Sequence, residues 1–191
     1  MDSLQDIEKA LLQILIAYRA VESVVFDEHL ECLRRDYPNQ ANNLTTSDIF
    51  KRINVHLRKI SLEIKTVVIR SDDERKSYHG VVNTGEDSIA TEFGSTFSEA
   101  ELDFARTIIS GLIDMKQIGT TEIRNLTQPN QKPYASNVID ALVEERWIVR
   151  NVRGYFELGP RSFLEIRPFL EAETAKQPAE SSVSLPQILF Y

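Results

Sequence analysis

Cysteine is almost missing from this chain of 191 residues: Cys32 stands alone. No internal disulfide and no cysteine-based zinc cluster can form, which suits a reducing cytosolic or nuclear compartment, with Cys32 itself expected to be packed. Basic charge is in deficit as well. With 22 Lys and Arg against 29 Asp and Glu the formal net charge is −7, which excludes a chain-wide attraction to nucleic acid or an anionic membrane and leaves only local patches for either. Long apolar runs are lacking. The stretch Ala10 to Ala17 is broken by Gln13 and falls far short of the ~20 residues that span a bilayer. Met1 to Glu8 carries Asp2, Asp6 and Glu8 where a secretory signal would be basic, so export is not expected. What is present, 42% hydrophobic and 27% charged residues, is the balance of a soluble globular chain.

Apolar spacing places the elements. Leu4, Ile7, Leu11, Ile14, Tyr18 and Val21 alternate in steps of three and four, which predicts a first helix over 4–21. Leu12, Leu15 and Ile16 widen its apolar face beyond the ~100° a helix needs to cover its own core, and this ridge is the expected partner-binding site. Phe26, Leu30, Leu33 and Tyr37, stopped by Pro38, predict a second helix; Ile49, Ile53, Leu57 and Ile60, opened by Thr45 to Asp48, predict a third. The β-branched run Ile64, Val67, Val68, Ile69 and the stretch Tyr78 to Asn83 flank a polar turn and read as a hairpin.

The order then recurs. A Ser98-x-x-Glu101 capping box opens a helix with Leu102, Ala105, Ile108, Ile109, Leu112 and Ile113 inward. Phe104 and Met115 widen that face too, so tandem packing or a partner is expected to cover the excess. A second helix over Thr120 to Leu126, a third with Ala135, Ile139, Leu142 and Val143 inward, and a hairpin turning on Asn151-Val152-Arg153-Gly154 complete the unit. The chain is therefore expected to be α+β, two tandem winged-helix domains of three helices plus a β-hairpin wing each: residues 1–84, a linker over 85–97, and 98–172. A last helix from Gly159-Pro160 carries Phe163, Ile166 and Leu170 inward, and the Lys-, Gln-, Pro- and Ser-rich stretch 173–191 reads as a flexible, largely disordered tail.

Two surfaces offer themselves to DNA. Lys51, Arg52, Arg58 and Lys59 fall together on the outer side of the third helix, and Arg150 and Arg153 sit on the second wing. Against them, the matching helix of the second half turns Asn137, Asp140 and Glu144 outward, carboxylates where phosphates would lie. DNA binding is thus the alternative to protein binding. Groupings for catalysis are incomplete. His29 and Cys32 share a helical face but supply two ligands where a structural zinc needs four; His56 reads as a partly buried side chain; His79 lies in a strand beside Gly80 with no evident nucleophile; Asp72-Asp73-Glu74 reads as a solvated turn. Neither a catalytic residue nor a metal or other cofactor is expected in this chain.

Tyr78-His79-Gly80-Val81-Val82-Asn83, Asp87-Ser88-Ile89-Ala90, Phe97 to Leu102, Leu142 to Ile148 and Gly154 to Arg161 occur in an order and spacing that resembles the first non-SMC-element subunit of the SMC-five/SMC-six complex, over roughly 4–172. The resemblance implies a nuclear subunit of a chromosome-maintenance, DNA-recombination and DNA-repair complex, docking a MAGE-type partner and a kleisin through its winged helices. It also implies a C-terminal RING-like zinc domain with ubiquitin-ligase activity. Where that family begins its zinc ligands this sequence has Ser181 to Pro186, so ligase activity is not expected of these residues alone. The sequence reads as either a truncated piece or a natural short form.

Overall fold

The computed structural model describes residues 3–40, 44–70, 74–85, 97–127, 129, 132–166 and 187–190. The chain divides into two compact units, Met1–Gly85 with Leu189–Tyr191, and Glu86–Ile188. The first unit runs α1 (Asp6–Tyr18), β1 (Val21–Glu22), α2 (Ser23–Asp36), α3 (Thr46–Leu57), a 3₁₀ turn (Arg58–Ile60), β2 (Leu62–Arg70) and β3 (Arg75–Asn83). The second repeats the order: α4 (Glu99–Met115), β4 (Gln117–Ile118), α5 (Thr120–Leu126), α6 (Ala135–Glu144), β5 (Ile148–Arg150), β6 (Phe156–Leu158), with α7 (Pro160–Glu165) appended. Each is a winged helix, three helices closed by an antiparallel wing. Among the described residues no helix is long and apolar enough to cross a membrane.

Local chemistry sets the helix starts. Thr45 and Ser98 are N-caps whose side chains exchange hydrogen bonds with Asp48 and Glu101 three residues on, satisfying backbone N–H groups that have no partner inside the helix. In both units the first helix ends on a basic residue at positive φ, Arg19 at 61° and Lys116 at 64°, and the third helix leads into the wing through a further positive-φ residue, polar Ser61 at 56° in one and basic Arg146 at 63° in the other. After each first-helix turn the chain makes a two-residue strand that pairs with the wing: Val21 opposite His79, and Ile118 opposite Phe156.

In the first unit the sheet order is β1-β3-β2-β7, with β7 at Gln187–Phe190; in the second it is β4-β6-β5. The rest of the expected flexible tail, and Leu170 of the last helix, lie outside the described residues, as do Asp72 and Asp73. The first core gathers Ile7, Leu11, Leu15, Phe26, Ile49 and Ile53. Burying each such side chain contributes about 1.5–3 kcal/mol. A buried Asn54 fastens α3 to β2: its Nδ2 donates to the Ile64 carbonyl at 3.1 Å and its Oδ1 accepts the Ile64 N–H at 2.7 Å.

Three packing expectations are corrected. Ile60 is 66% exposed, because α3 stops at Leu57 and the tighter 3₁₀ turn that follows carries Ile60 off the inward stripe. Cys32 is exposed: α2 buries Phe26 and Leu30, and two residues past Leu30 lies the opposite side of the helix. The width of α4 is needed for burial, since Phe104, Ile108, Ile109, Leu112 and Ile113 are all interior and only Met115 protrudes. That helix packs on α5, α6, β4 and β6 together, so a stripe broader than one contact requires is consumed by several.

Candidate interaction surfaces

The expected partner ridge on α1 is mostly interior. Leu15 has 0% exposure and Leu12 packs against the same core, so Leu15 cannot present itself to a partner; Ile16, at 47%, is the member that reaches solvent. The reason is again contact on several sides, with α1 resting on α2, α3 and β3. Other large apolar side chains in solvent are Tyr18, Val24, Val55 and Ile60 in the first unit and Met115, Val143, Val152 and Tyr155 in the second.

The basic stripe is partly spoken for. Arg52 Nε lies 2.9 Å from Glu8 Oε1, a carboxylate of α1 with only 1% exposure. Removing that guanidinium would leave a buried charge without its counterion. Glu8 also accepts the Gln5 N–H at 2.8 Å, closing the N-terminus of α1. Arg58 donates Nε to Glu63 Oε1 at 3.0 Å and makes a second contact through its Nη2. Arg58 and Lys59 stand on the 3₁₀ turn and not on α3, so only Lys51 and Arg52 share the helix face, and one of those two is neutralised.

On the second wing Arg150 holds its guanidinium 5.6 Å from the Phe156 ring centroid and donates Nε to the Gly154 carbonyl at 3.3 Å, while Arg153 is exposed at the tip. These two arginines belong to the second unit, the four stripe residues to the first. The acidic face of α6 is as expected, Asn137, Asp140 and Glu144 all being exposed.

His79, read in sequence as having no evident nucleophile beside it, lies between two hydroxyls. Its Nε2 is 2.9 Å from Ser23 Oγ and its Nδ1 is 2.8 Å from Thr66 Oγ1. Phe26 and Phe50 meet the ring edge to face at 5.4 and 4.9 Å. Burial pushes its pKa down to about 4, with Asp27 pulling weakly the other way. The arrangement does not resemble an activated nucleophile: Ser23 Oγ donates its proton to the Ser77 carbonyl at 3.1 Å. The ring therefore carries its proton on Nε2 and donates to Ser23, the reverse of what a general base does. The group ties α2 to the wing.

Zinc does not fit these residues. Tyr18 Oη lies 3.2 Å from His29 Nε2 and Arg35 Nη2 lies 3.2 Å from Cys32 Sγ, and among the described residues no group of three or more His, Cys, Asp or Glu could hold a metal ion.

The end of the second wing returns to the start of it. Gly159 N donates to the Trp147 carbonyl at 2.7 Å, Ser162 Oγ to the same oxygen at 2.6 Å, and Arg161 N to the Arg146 carbonyl at 3.2 Å. A Cβ on Gly159 would stand 2.2 Å from Arg146 O, so no larger residue fits. This explains the spacing of the strings Leu142 to Ile148 and Gly154 to Arg161: one is the seat of the other.

A family model described as the Nse1 non-SMC component of SMC5-6 complex matches residues 8–138, from the first turn of α1 into α6. No curated protein matches the chain. Among solved structures, a chain of an assembly described as the Nse1-Nse3-Nse4 complex has the same fold, with a TM-score of 0.74 and 22% identity, the match covering 90% of this chain and 75% of that chain.

Proposed function

Because this chain belongs to the family of Nse1 non-SMC components of the SMC5-6 complex, we propose that it works as a docking subunit of such a complex, binding a MAGE-type subunit and a kleisin through its winged helices. The observation that carries the reading is the extent of the family match, which spans most of both helical sets; the fold shared with a chain of the Nse1-Nse3-Nse4 complex supports it. Its setting on this reading is the nucleus, in chromosome maintenance, DNA recombination and DNA repair. The contact on the first unit uses the solvent-exposed shoulder of α1, Ile16 with the flank of Leu12, while Leu15 supports it from within. Ligase chemistry is not assigned to these residues, since one cysteine and three histidines cannot complete RING-type zinc sites.

Co-expression with a MAGE-type and a kleisin subunit, followed by size exclusion, tests the reading. A complex that persists in ~0.5 M salt is expected, since burial of apolar surface is far less sensitive to ionic strength than phosphate contact. Ile16→Asp should weaken it at least tenfold. Failure to co-elute at any salt concentration would overturn the proposal.

A further inference from the structure

The tip of the second wing is built to present rather than to pack. Asn151 organises it: its Oδ1 accepts the N–H groups of Arg153 and Tyr155, both at 3.0 Å, its backbone N–H donates to the Tyr155 carbonyl at 2.8 Å, and its carbonyl accepts from Gly154 at 2.9 Å. Gly154 takes φ 86°, a conformation that closes the turn at no steric cost only for glycine. The result is a braced loop that holds Val152 at 105% exposure, the most exposed large apolar side chain among the described residues. Arg150 stands two residues before Val152 and Arg153 directly after it, both exposed. Arg150 is steadied against Phe156 and by the Gly154 carbonyl and is still exposed. The adjacent carboxylate, Glu157, is occupied by Asn151 Nδ2 at 2.6 Å. The tip is therefore a small, rigid cationic prong with an apolar point, whereas the α6 helix of the same unit is acidic.

We propose that this wing tip docks on duplex DNA, with Arg150 and Arg153 on backbone phosphates and Val152 against the sugar edges of the minor groove. Arginine forks match phosphate oxygens, and many minor-groove binders set apolar side chains into the groove beside their cations. The helix in this unit cannot share the work, since Asp140 and Glu144 would face phosphates. Contact is by the wing alone, so affinity is modest and steeply dependent on salt. The inference stands apart from the docking function, which needs no DNA.

The test measures anisotropy of a labelled mixed-sequence duplex of about 20 base pairs with the full chain at about 50 mM salt, a concentration at which phosphate contacts are strong. Arg153→Glu should lower affinity at least fivefold and reduce the slope of log affinity against log salt by about 1, as loss of one phosphate contact does. Val152→Ser should weaken binding two- to threefold without changing that slope. Arg106→Glu makes the same charge change on α4, where Arg106 pairs with Asp103 at 3.1 Å, and should have less than a twofold effect. Equal losses for Arg106→Glu and Arg153→Glu would reduce the effect to bulk charge and overturn the proposal. So would absent duplex binding, or an Arg153→Glu chain that binds DNA normally but no longer captures its protein partners. Unchanged melting temperatures establish that the variants are folded.

Discussion

The guanidinium of Arg161 lies 4.3 Å over the Trp147 ring, with Nε donating to Glu165 Oε1 at 2.5 Å and Nη1 paired to Glu145. Trp147 is interior and Arg161 is only 13% exposed, so the cation is held between a ring and two carboxylates at the point where α7 closes the second wing.

Arg161→Ala should therefore cost about 2–3 kcal/mol, since it removes a desolvated cation–π contact and the ion pair to the partly buried Glu165. Arg161→Lys keeps the charge but not the planar stack, and should fall between the two. Urea denaturation reads the difference, and equal midpoints for all three chains would show that the cluster contributes nothing.

Stability should fall with acid through His79. Its folded pKa, about 4, is below the ordinary 6.5, so the native state favours the neutral ring. The resulting contribution is complete above pH 6.5 and is lost as pH falls towards 4, reaching about 3 kcal/mol at most. His79→Gln keeps hydrogen-bonding capacity without the charge. Its unfolding free energy should change less than the parent's between pH 7 and pH 4.5, and parallel curves would refute the assignment. Carboxylates held low by N-cap hydrogen bonds, Asp48 and Glu101, lose their contributions with falling pH in both chains and cancel in the comparison.

Neighbouring cations on α3 should behave differently. Arg52→Ala leaves Glu8 buried and without its counterion, and should cost about 1–2 kcal/mol, a figure discounted because Arg52 itself is half in water. Lys51→Ala, at an exposed site, should stay within about 0.5 kcal/mol. Thermal melts of the two variants distinguish a structural arginine from a solvated lysine.

Ser61 sits at φ 56°, ψ 33° at the end of the 3₁₀ turn, a left-handed conformation that strains a side chain and suits glycine. Ser61→Gly should be stabilising or neutral, by up to about 1 kcal/mol, against the usual penalty for an added glycine. A loss of more than 1 kcal/mol in chemical denaturation would contradict it.

Helices were legible because apolar spacing reports burial directly: Phe26 with Leu30 and Ile49 with Ile53 face inward, although on α6 Leu142 is interior while Val143, expected beside it, is 37% exposed. Breadth of a stripe was a poorer guide. Leu15 and the flank of α4 suggested surplus, yet a helix clasped on three sides uses most of its circumference. The strands β1 and β4 are two residues long, too short for alternation to register, and follow from the reversal at Arg19 and Lys116. Glu8 and Asn54 passed as ordinary polar positions, since no local pattern announces that a carboxylate's counterion is 44 residues away or that an amide will clamp a strand. Val152 looked like a turn residue, and only its full exposure on a braced loop marks it.

The four joints at Arg19, Ser61, Lys116 and Arg146 share one torsional sign while sharing no single side chain. What the two modules have in common is thus a trajectory of the main chain, which tolerates free drift in the residues that follow it. A search for distant kin by letter-for-letter agreement would pass over such joints, whereas one keyed to where the backbone turns left would find both modules at once.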